Sequence, residues 1–475
     1  MSVQYFEEKI MKNNKTKICY RSVLALAITI LATNTGYAAV SAEEAAALGQ
    51  NLTRFGAEQA GNADGSIPAY EGGLIGQQKA SADIYDDPFA GDEKLYSITA
   101  QNMAEYEASL STGTKAMLER FPSYRLDVYP TRRSMGYADW FLDNTVKNAT
   151  TASLGGAVEG DKVEGAAADG MPFQGIPFPI PKTGYEAMWN YQFRFAPVVT
   201  QFRSSNWLVD HGGARNFLAI NDASYMHPWS EQSGEFRGKT YDAVYGFNTL
   251  MAAPPTSAGT QFLNYYTPDS AAAAPIWIYT PGQRRVRKAP EFAYDIPMAA
   301  YGGVLFWDEP WGFQGRMDRF DFKLVGKKEL IVPYNVFGQQ LHSDKVLTDN
   351  HINPDVVRWE KRRVWVVEAD RKENARHAYK KRTFLIEEDC WCLVQTESYD
   401  NSGALWKVQD LYNFPAYDVG GMINNAFVAN DLIKGNYVAI NFGAEEPGNF
   451  LRAYDSDKGL VLRLTPRAVS GGSVR

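Results

Sequence analysis

ARHAYKKRTFLIEEDCWCLVQTESYDNSGALWKVQDLY, residues 375–412, decides the class of this chain. Three short segments follow one another in it, at 379–386, 391–399 and 404–412. Glu387-Glu388-Asp389 separates the first two, and Asp400-Asn401-Ser402-Gly403 the last two. Asn, Asp and Gly tolerate the tight backbone angles of a reversal. The last segment alternates: Ala404, Trp406 and Val408 point one way, Leu405, Lys407 and Gln409 the other. This pattern predicts an antiparallel meander with one well-packed face. No catalytic signature lies on it.

Strand-like segments extend upstream of the meander. They fall at 191–195, 216–221, 241–247, 261–267, 276–279, 284–288, 318–325, 329–334 and 364–369. The sequence holds 27 Tyr, 25 Phe and 11 Trp, side chains that bury large areas and favour strands. The spacing of strands and turns favours one large, curved antiparallel sheet over βαβ units. The expected organisation is a β domain over 185–420, a helical and loop region over 39–184 packed on it, and a C-terminal extension over 421–475. Ser41 and Glu44 match a capping box, which predicts a helix over 41–60. A second helical region is expected over 99–121, interrupted at 111–114 and ended by Pro122. Residues 154–170 read as a loop, and the prolines of 173–181 impose extended backbone.

The first 38 residues read as an export signal. Lys12, Lys15, Lys17 and Arg21 precede an apolar run over 23–32, and Gly36-Tyr37-Ala38 offers small residues for cleavage after Ala38. That run is about ten residues, against the ~20 a spanning helix needs. The full sequence carries a net charge of −7, and removing residues 1–38 takes away five basic and two acidic side chains, leaving −10. An acidic surface argues against nucleic acid as a partner. The composition predicts an exported, periplasmic protein that does not span the membrane. Two cysteines remain, Cys390 and Cys392. Their spacing would strain a disulfide, and nothing nearby completes a metal site.

Enzymatic signatures are weak. The glycine-rich run over 155–160 lacks the lysine of a phosphate loop. The five histidines show no compact ligand spacing, although His342 and His351 flank Asp344 and Asp349. Asp308, Glu309, Asp318 and Asp321 near Trp307 and Trp311 have the makings of a glycosidase pair, but acidic residues are common throughout the chain. No metal, cofactor or catalytic residue is expected. Arg285 and Arg287 share one face of a basic strand, either a charge-protected edge or a contact for an anionic headgroup or partner. The aromatic set Trp277, Tyr279, Phe306, Trp307, Trp311, Trp365, Trp391, Tyr399 and Trp406 could line a hydrophobic cavity, with Trp277, Tyr279, Trp365, Trp391 and Trp406 as its candidate walls. Opposite faces of a strand cannot both line it, so this set cannot be right in every member.

Ordered blocks along the chain resemble a bacterial family of unknown function, DUF1329. They are LTRFGAE at 52–58, AGNADGSIP at 60–68, PFPIP at 177–181, EAMWN at 186–190, YTPGQRRVR at 279–287, LVGKKE at 324–329, VPYN at 332–335 and RRVWVVEA at 362–369. The family looks like the lipoprotein-localisation fold of LolA and LolB, an incomplete β-barrel with covering helices. Ile276-Trp277-Ile278-Tyr279-Thr280-Pro281 is similar to the carriers' LW-x-Y-x-P strand, and Phe384-Leu385-Ile386-Glu387 to their F-x-I-D hairpin. The resemblance implies a periplasmic binding or carrier protein for a lipid-like ligand, working with outer-membrane or export machinery. The other reading it implies is a non-enzymatic subunit docked on an outer-membrane β-barrel or an RND-type exporter.

Overall fold

The computed structural model describes residues 40–156, 160–235, 243–269, 276–289, 294–456, 459 and 465–469. The expected signal over 1–38 lies outside the described residues. The N-terminal strands are β1 (Tyr96–Ile98), β2 (Leu126–Val128), β3 (Ser153–Gly155) and β4 (Lys162–Glu164). The central ones are β5 (Val199–Val209), β6 (Arg215–Met226), β7 (Tyr245–Ala253), β8 (Gln261–Tyr266), β9 (Ile276–Thr280), β10 (Arg285–Lys288) and β11 (Phe320–Pro333). The C-terminal ones are β12 (Trp359–Arg371), β13 (Lys381–Glu387), β14 (Leu393–Tyr399), β15 (Leu405–Pro415), β16 (Met422–Asp431), β17 (Asn436–Phe442) and β18 (Phe450–Tyr454). The helices of the N-terminal part are the single turn α1 (Ala42–Ala45) and the longer α2 (Thr112–Arg120), α3 (Asp139–Thr151) and α4 (Gly184–Gln192).

Sixteen strands form one sheet in the order β1-β2-β12-β13-β14-β15-β16-β17-β5-β6-β7-β8-β9-β10, with β11 added on β12 and β18 on β5. Every pairing is antiparallel except the short parallel contact of β12 with β2. The sheet is not closed: its path ends at β1 and β10. Strands β3 and β4 form a separate hairpin, within the span expected to be a loop.

The meander stands where the sequence puts it, as β13, β14 and β15. Asp400 closes its second turn by accepting the N–H groups of Ser402 and Ala404 on Oδ1, and Gly403 takes the left-handed angle the reversal requires, φ +88°. The alternation of β15 breaks at Trp406. Tyr399 pairs Leu405 and Ser398 pairs Lys407, so Trp406 is an extra, bulged residue. It turns to the face of Phe306 and Tyr379, whereas Val408 packs on the other face with Met117 and Leu118 of α2.

Other expectations are corrected. Within 421–475, β16 and β17 sit mid-sheet between β15 and β5. The strand expected at 191–195 does not form: Tyr191 and Gln192 end α4, and residues 193–195 leave it as turn and coil. Thr183 and Glu186 form a capping box at the start of α4, and every residue of the helix is buried, so local capping and packing override the β tendency of its aromatic residues. The helix over 41–60 shrinks to α1, although its capping box is present. The two segments at 318–325 and 329–334 are one strand, β11, bulged at Val325.

Tryptophans and tyrosines of α4 are locked by hydrogen bonds as well as by burial. Trp189 Nε1 donates to the Gly160 carbonyl at 2.7 Å and Tyr185 Oη to the Phe320 carbonyl at 3.0 Å. Each such ring contributes roughly 1.5–3 kcal/mol through area alone. The turn after β13 is held differently, by buried charge. Arg362 donates to Glu387 and to Asp389 at 2.6 Å each, and Arg133 to Asp389 at 2.6 Å. Glu388 takes Lys327 at 2.7 Å. Burial works against the Asp389 charge, but Arg133 and Arg362 outweigh it and keep the carboxyl below its usual range. Burial pushes Glu387 up to about 7 against the pull of Arg362. Cys390 and Cys392 are buried free thiols of this turn.

Candidate functional site

A cavity of about 320 Å³ opens between one face of the sheet and the segment 296–314 that crosses it. Ala219 and Asn221 of β6, Phe247, Thr249 and Met251 of β7, and Phe262 and Asn264 of β8 form its floor. They recur every second residue, as the pleat demands of one face. Phe427 of β16 and Ile440 of β17 close one side, and Met298, Tyr301, Trp307 and Trp311 roof it. The lining is mostly aromatic and aliphatic with a few polar groups, the make-up of a site for an apolar ligand, and its volume lies at the low end of the usual ~300–1,000 Å³. Three polar atoms of the lining, Thr249 Oγ1, Asn264 Oδ1 and Gln314 Nε2, are buried without a hydrogen-bond partner among the described residues. Burial raises the Tyr301 hydroxyl, so it stays neutral.

The roof is pinned by charge. Asp308 accepts from Arg382 and from His377 at 3.0 Å each, and Arg382 also donates to the Gly312 carbonyl. Lys407 of β15 reaches Glu309 at 3.0 Å, and Tyr379 donates to Glu309 at 2.5 Å. Burial opposes the Asp308 charge, yet Arg382 and His377 hold its carboxyl below its ordinary range. The acidic residues beside Trp307 and Trp311 do not converge on one another: Asp308 and Glu309 are committed to ion pairs, Asp318 accepts from Tyr294 at 2.7 Å, and Asp321 is exposed. His351 bonds Ser123 and the Ile352 carbonyl. Among the described residues no group of three His, Cys, Asp or Glu is arranged to hold a metal, and no helix is long and apolar enough to cross a membrane.

None of the five aromatic residues singled out in the sequence is among those lining this cavity. Leu263 pairs Trp277 and Gln261 pairs Tyr279, so these two point to the opposite face and pack with Tyr265 and Val286. Trp365 and Trp391 stack on each other at 6.1 Å, and Trp391 donates to the Phe55 carbonyl. Trp406 packs on Phe306 and Tyr379 and donates to Asp431. The pleat does bring Arg287 to the cavity face, through the row Thr249–Phe262–Ile278–Arg287. Arg285, two residues away, shares that face, and both are exposed on the last strand of the path. A larger groove of about 560 Å³ mixes charged residues (Asp86, Asp87, Asp92 and Arg358) with apolar ones such as Ile84, Phe89, Phe337 and Leu341.

Residues 97–468 match the model of a family described as protein of unknown function, DUF1329. An uncharacterized protein of Pseudomonas aeruginosa is 35% identical over 450 residues, which cover 90% of this chain and 93% of that one. The chain belongs to the DUF1329 family. Among solved structures, a DUF1329 protein from Desulfovibrio piger aligns at 14% identity and a TM-score of 0.41, covering 60% of this chain and 97% of that one. A putative outer membrane lipoprotein-sorting protein domain from Vibrio parahaemolyticus aligns at 13% and 0.39, over 60% and 97%. A LolA superfamily protein from Nitrosomonas europaea aligns at 12% and 0.32, over 58% and 96%. No residue role follows from likeness at these scores. The cavity of this DUF1329 protein rests on its own geometry.

Proposed function

We propose that the protein is an exported, periplasmic binding or carrier protein that holds one apolar chain of a lipid-like molecule in the cavity beneath segment 296–314. The observation that carries this reading is the cavity itself: aromatic and aliphatic walls drawn from β6, β7, β8, β16 and β17, roofed by a segment fastened through buried ion pairs. Each methylene moved from water into such a space contributes about 0.8 kcal/mol. Arg285 and Arg287, exposed on the same face, are the proposed contact for an anionic headgroup or an acidic partner. No chemical step is assigned to it.

The reading is tested with a fluorescent fatty-chain probe such as cis-parinaric acid. Saturable fluorescence enhancement is expected, lost in Ala219→Phe, whose ring fills the floor, with unchanged circular dichroism. Equal enhancement in parent and variant would place the probe elsewhere and remove the cavity from the account. The exposed basic strand at the end of the sheet favours a second reading, an accessory subunit docked on an outer-membrane β-barrel or an RND-type exporter. Crosslinking in intact cells followed by capture separates the two, since a free carrier leaves no stable protein partner.

A further inference from the structure

Behind the apolar cavity lies a second, much smaller one of about 10 Å³. Tyr225 separates them: its ring lines the small cavity and meets the Trp311 ring of the larger one edge-on at 4.9 Å. Arg194, Thr200, His227, Asn424 and Asn425 also line the small cavity. Each arrives for a local reason. Arg194 follows the end of α4. Thr200 and Tyr225 are paired across β5 and β6, and His227 continues the alternation of Ala223 and Tyr225 just past the strand end. Asn413 pairs Asn424 while Tyr412 pairs Ala426, so Asn425 is a bulged residue and two neighbouring asparagines reach one place.

The chemistry of this place is unbalanced. Arg194 is 3% exposed, and among the described residues no carboxylate pairs with it. One guanidinium nitrogen donates to the Tyr191 carbonyl at 2.8 Å, the charge lies over the Tyr191 ring, and Nε has no partner. Elsewhere in the core, Arg133, Arg362 and Arg382 each hold an acid. Around Arg194 further polar atoms are orphaned. Both polar ends of Asn424, the Oδ1 of Asn425 and both ring nitrogens of His227 are buried without a partner in hydrogen-bond geometry. The Pro197 carbonyl lies near enough to influence one nitrogen of His227, which leaves the other with nothing to bond. Burial, then Arg194, drive the imidazole well below its usual range, so it is neutral and can offer an N–H. A buried charge without a counter-charge is costly enough that proteins rarely keep one. A water fits a space of this size and would satisfy hydrogen bonds, but it would not balance the charge.

We infer that the Arg194–His227–Asn424 cavity is a binding site for a single small monovalent anion of halide size, which neutralises the guanidinium inside the fold. The Arg194 guanidinium, the Asn424 amide and an imidazole N–H of His227 supply the donors. The anion would sit next to the floor of the apolar cavity, with Tyr225 between them, and bracing Tyr225 braces Trp311 in turn. This inference does not depend on what the larger cavity holds.

The test uses the purified protein exchanged into gluconate buffer and titrated with sodium bromide at constant ionic strength. The thermal midpoint of the parent is expected to rise with the logarithm of bromide concentration once the site begins to fill. In Arg194→Met the dependence should vanish, with a midpoint in gluconate no lower than the parent's, because the unbalanced charge has gone. His227→Gln, which keeps a donor, should retain the dependence with its onset moved to higher bromide. Crystals grown in bromide should give an anomalous peak beside Arg194. A bromide-independent midpoint in the parent, with no anomalous peak there, would overturn the inference. So would an unchanged bromide response in a folded Arg194→Met protein. Failure of probe binding in the larger cavity would count against the carrier reading alone.

Discussion

Arg362 and Arg194 are both buried arginines, 1% and 3% exposed, and the fold treats them in opposite ways. Arg362 sits under the turn after β13 with Glu387, Asp389 and Glu360 around it. Arg194 sits behind the apolar cavity with a carbonyl, a ring and unpaired amides. The first arrangement is complete, and its effect is structural: it fixes the turn to the 55–70 and 131–137 loops. The second is incomplete, and it adjoins the one apolar space discussed above. Of these two buried arginines, one is paired where the chain is held and the other is left open beside the proposed anion site.

Breaking the paired side should have the largest effect. Arg362→Met leaves Glu387, Asp389 and Glu360 short of a partner, and a loss of about 3–5 kcal/mol is expected from urea denaturation. The contrast is sharpest against Arg194→Met in halide-free buffer, where no comparable loss is expected. Equal losses in the two would erase the distinction.

A buried acid without a cation offers the next test. Asp410 lies on the α2 side of the sheet, where burial pushes it up to about 6 and Gln395 gives it a hydrogen bond. Its carboxyl in the unfolded chain titrates near the model value of 3.8. Between about pH 4 and 6 the folded protein therefore holds a proton that the unfolded chain has released, so stability falls as pH rises through that window. Asp410→Asn should flatten this slope and gain up to about 3 kcal/mol at pH 7. Denaturation midpoints at pH 5 and pH 8 read the difference directly, and a loss of stability at pH 8 would contradict it.

Gly403→Ala places a Cβ at a left-handed position and should cost about 1 kcal/mol, read as a lower melting midpoint. Thr249→Val is the mildest change. It removes an unpaired hydroxyl from the cavity floor, so stability should move by less than about 1 kcal/mol and probe affinity should rise. A fall in affinity would show that the hydroxyl bonds the guest.

The meander was legible because its turns carry Asp, Asn and Gly and its strands are short and aromatic. β5 was hidden because Ser204, Ser205 and Asn206 are polar yet buried, satisfied by a neighbouring strand and by Glu446. β16 was hidden because the asparagines Asn424 and Asn425 stand near its start and break the apolar pattern. An aromatic cavity was expected, but its place in the sheet could not be read. Its walls come from strands far apart in the chain, and which tryptophan faces inward depends on register and on bulges such as the one at Trp406. Trp307 and Trp311 belong to the aromatic set that could line a cavity, and the structure puts both in the roof, but nothing local marks them out from Trp277, Trp365, Trp391 and Trp406. Nothing in the sequence separates Arg194 from the other arginines, since its distinction is the acid it lacks.

Native mass spectrometry after gentle purification, without detergent, tests the carrier account most directly. Parent protein should carry one hydrophobic molecule of defined mass, and Ala219→Phe should fly as the bare polypeptide. Bare polypeptide in both, with no fatty-chain probe taken up by the parent, would contradict it.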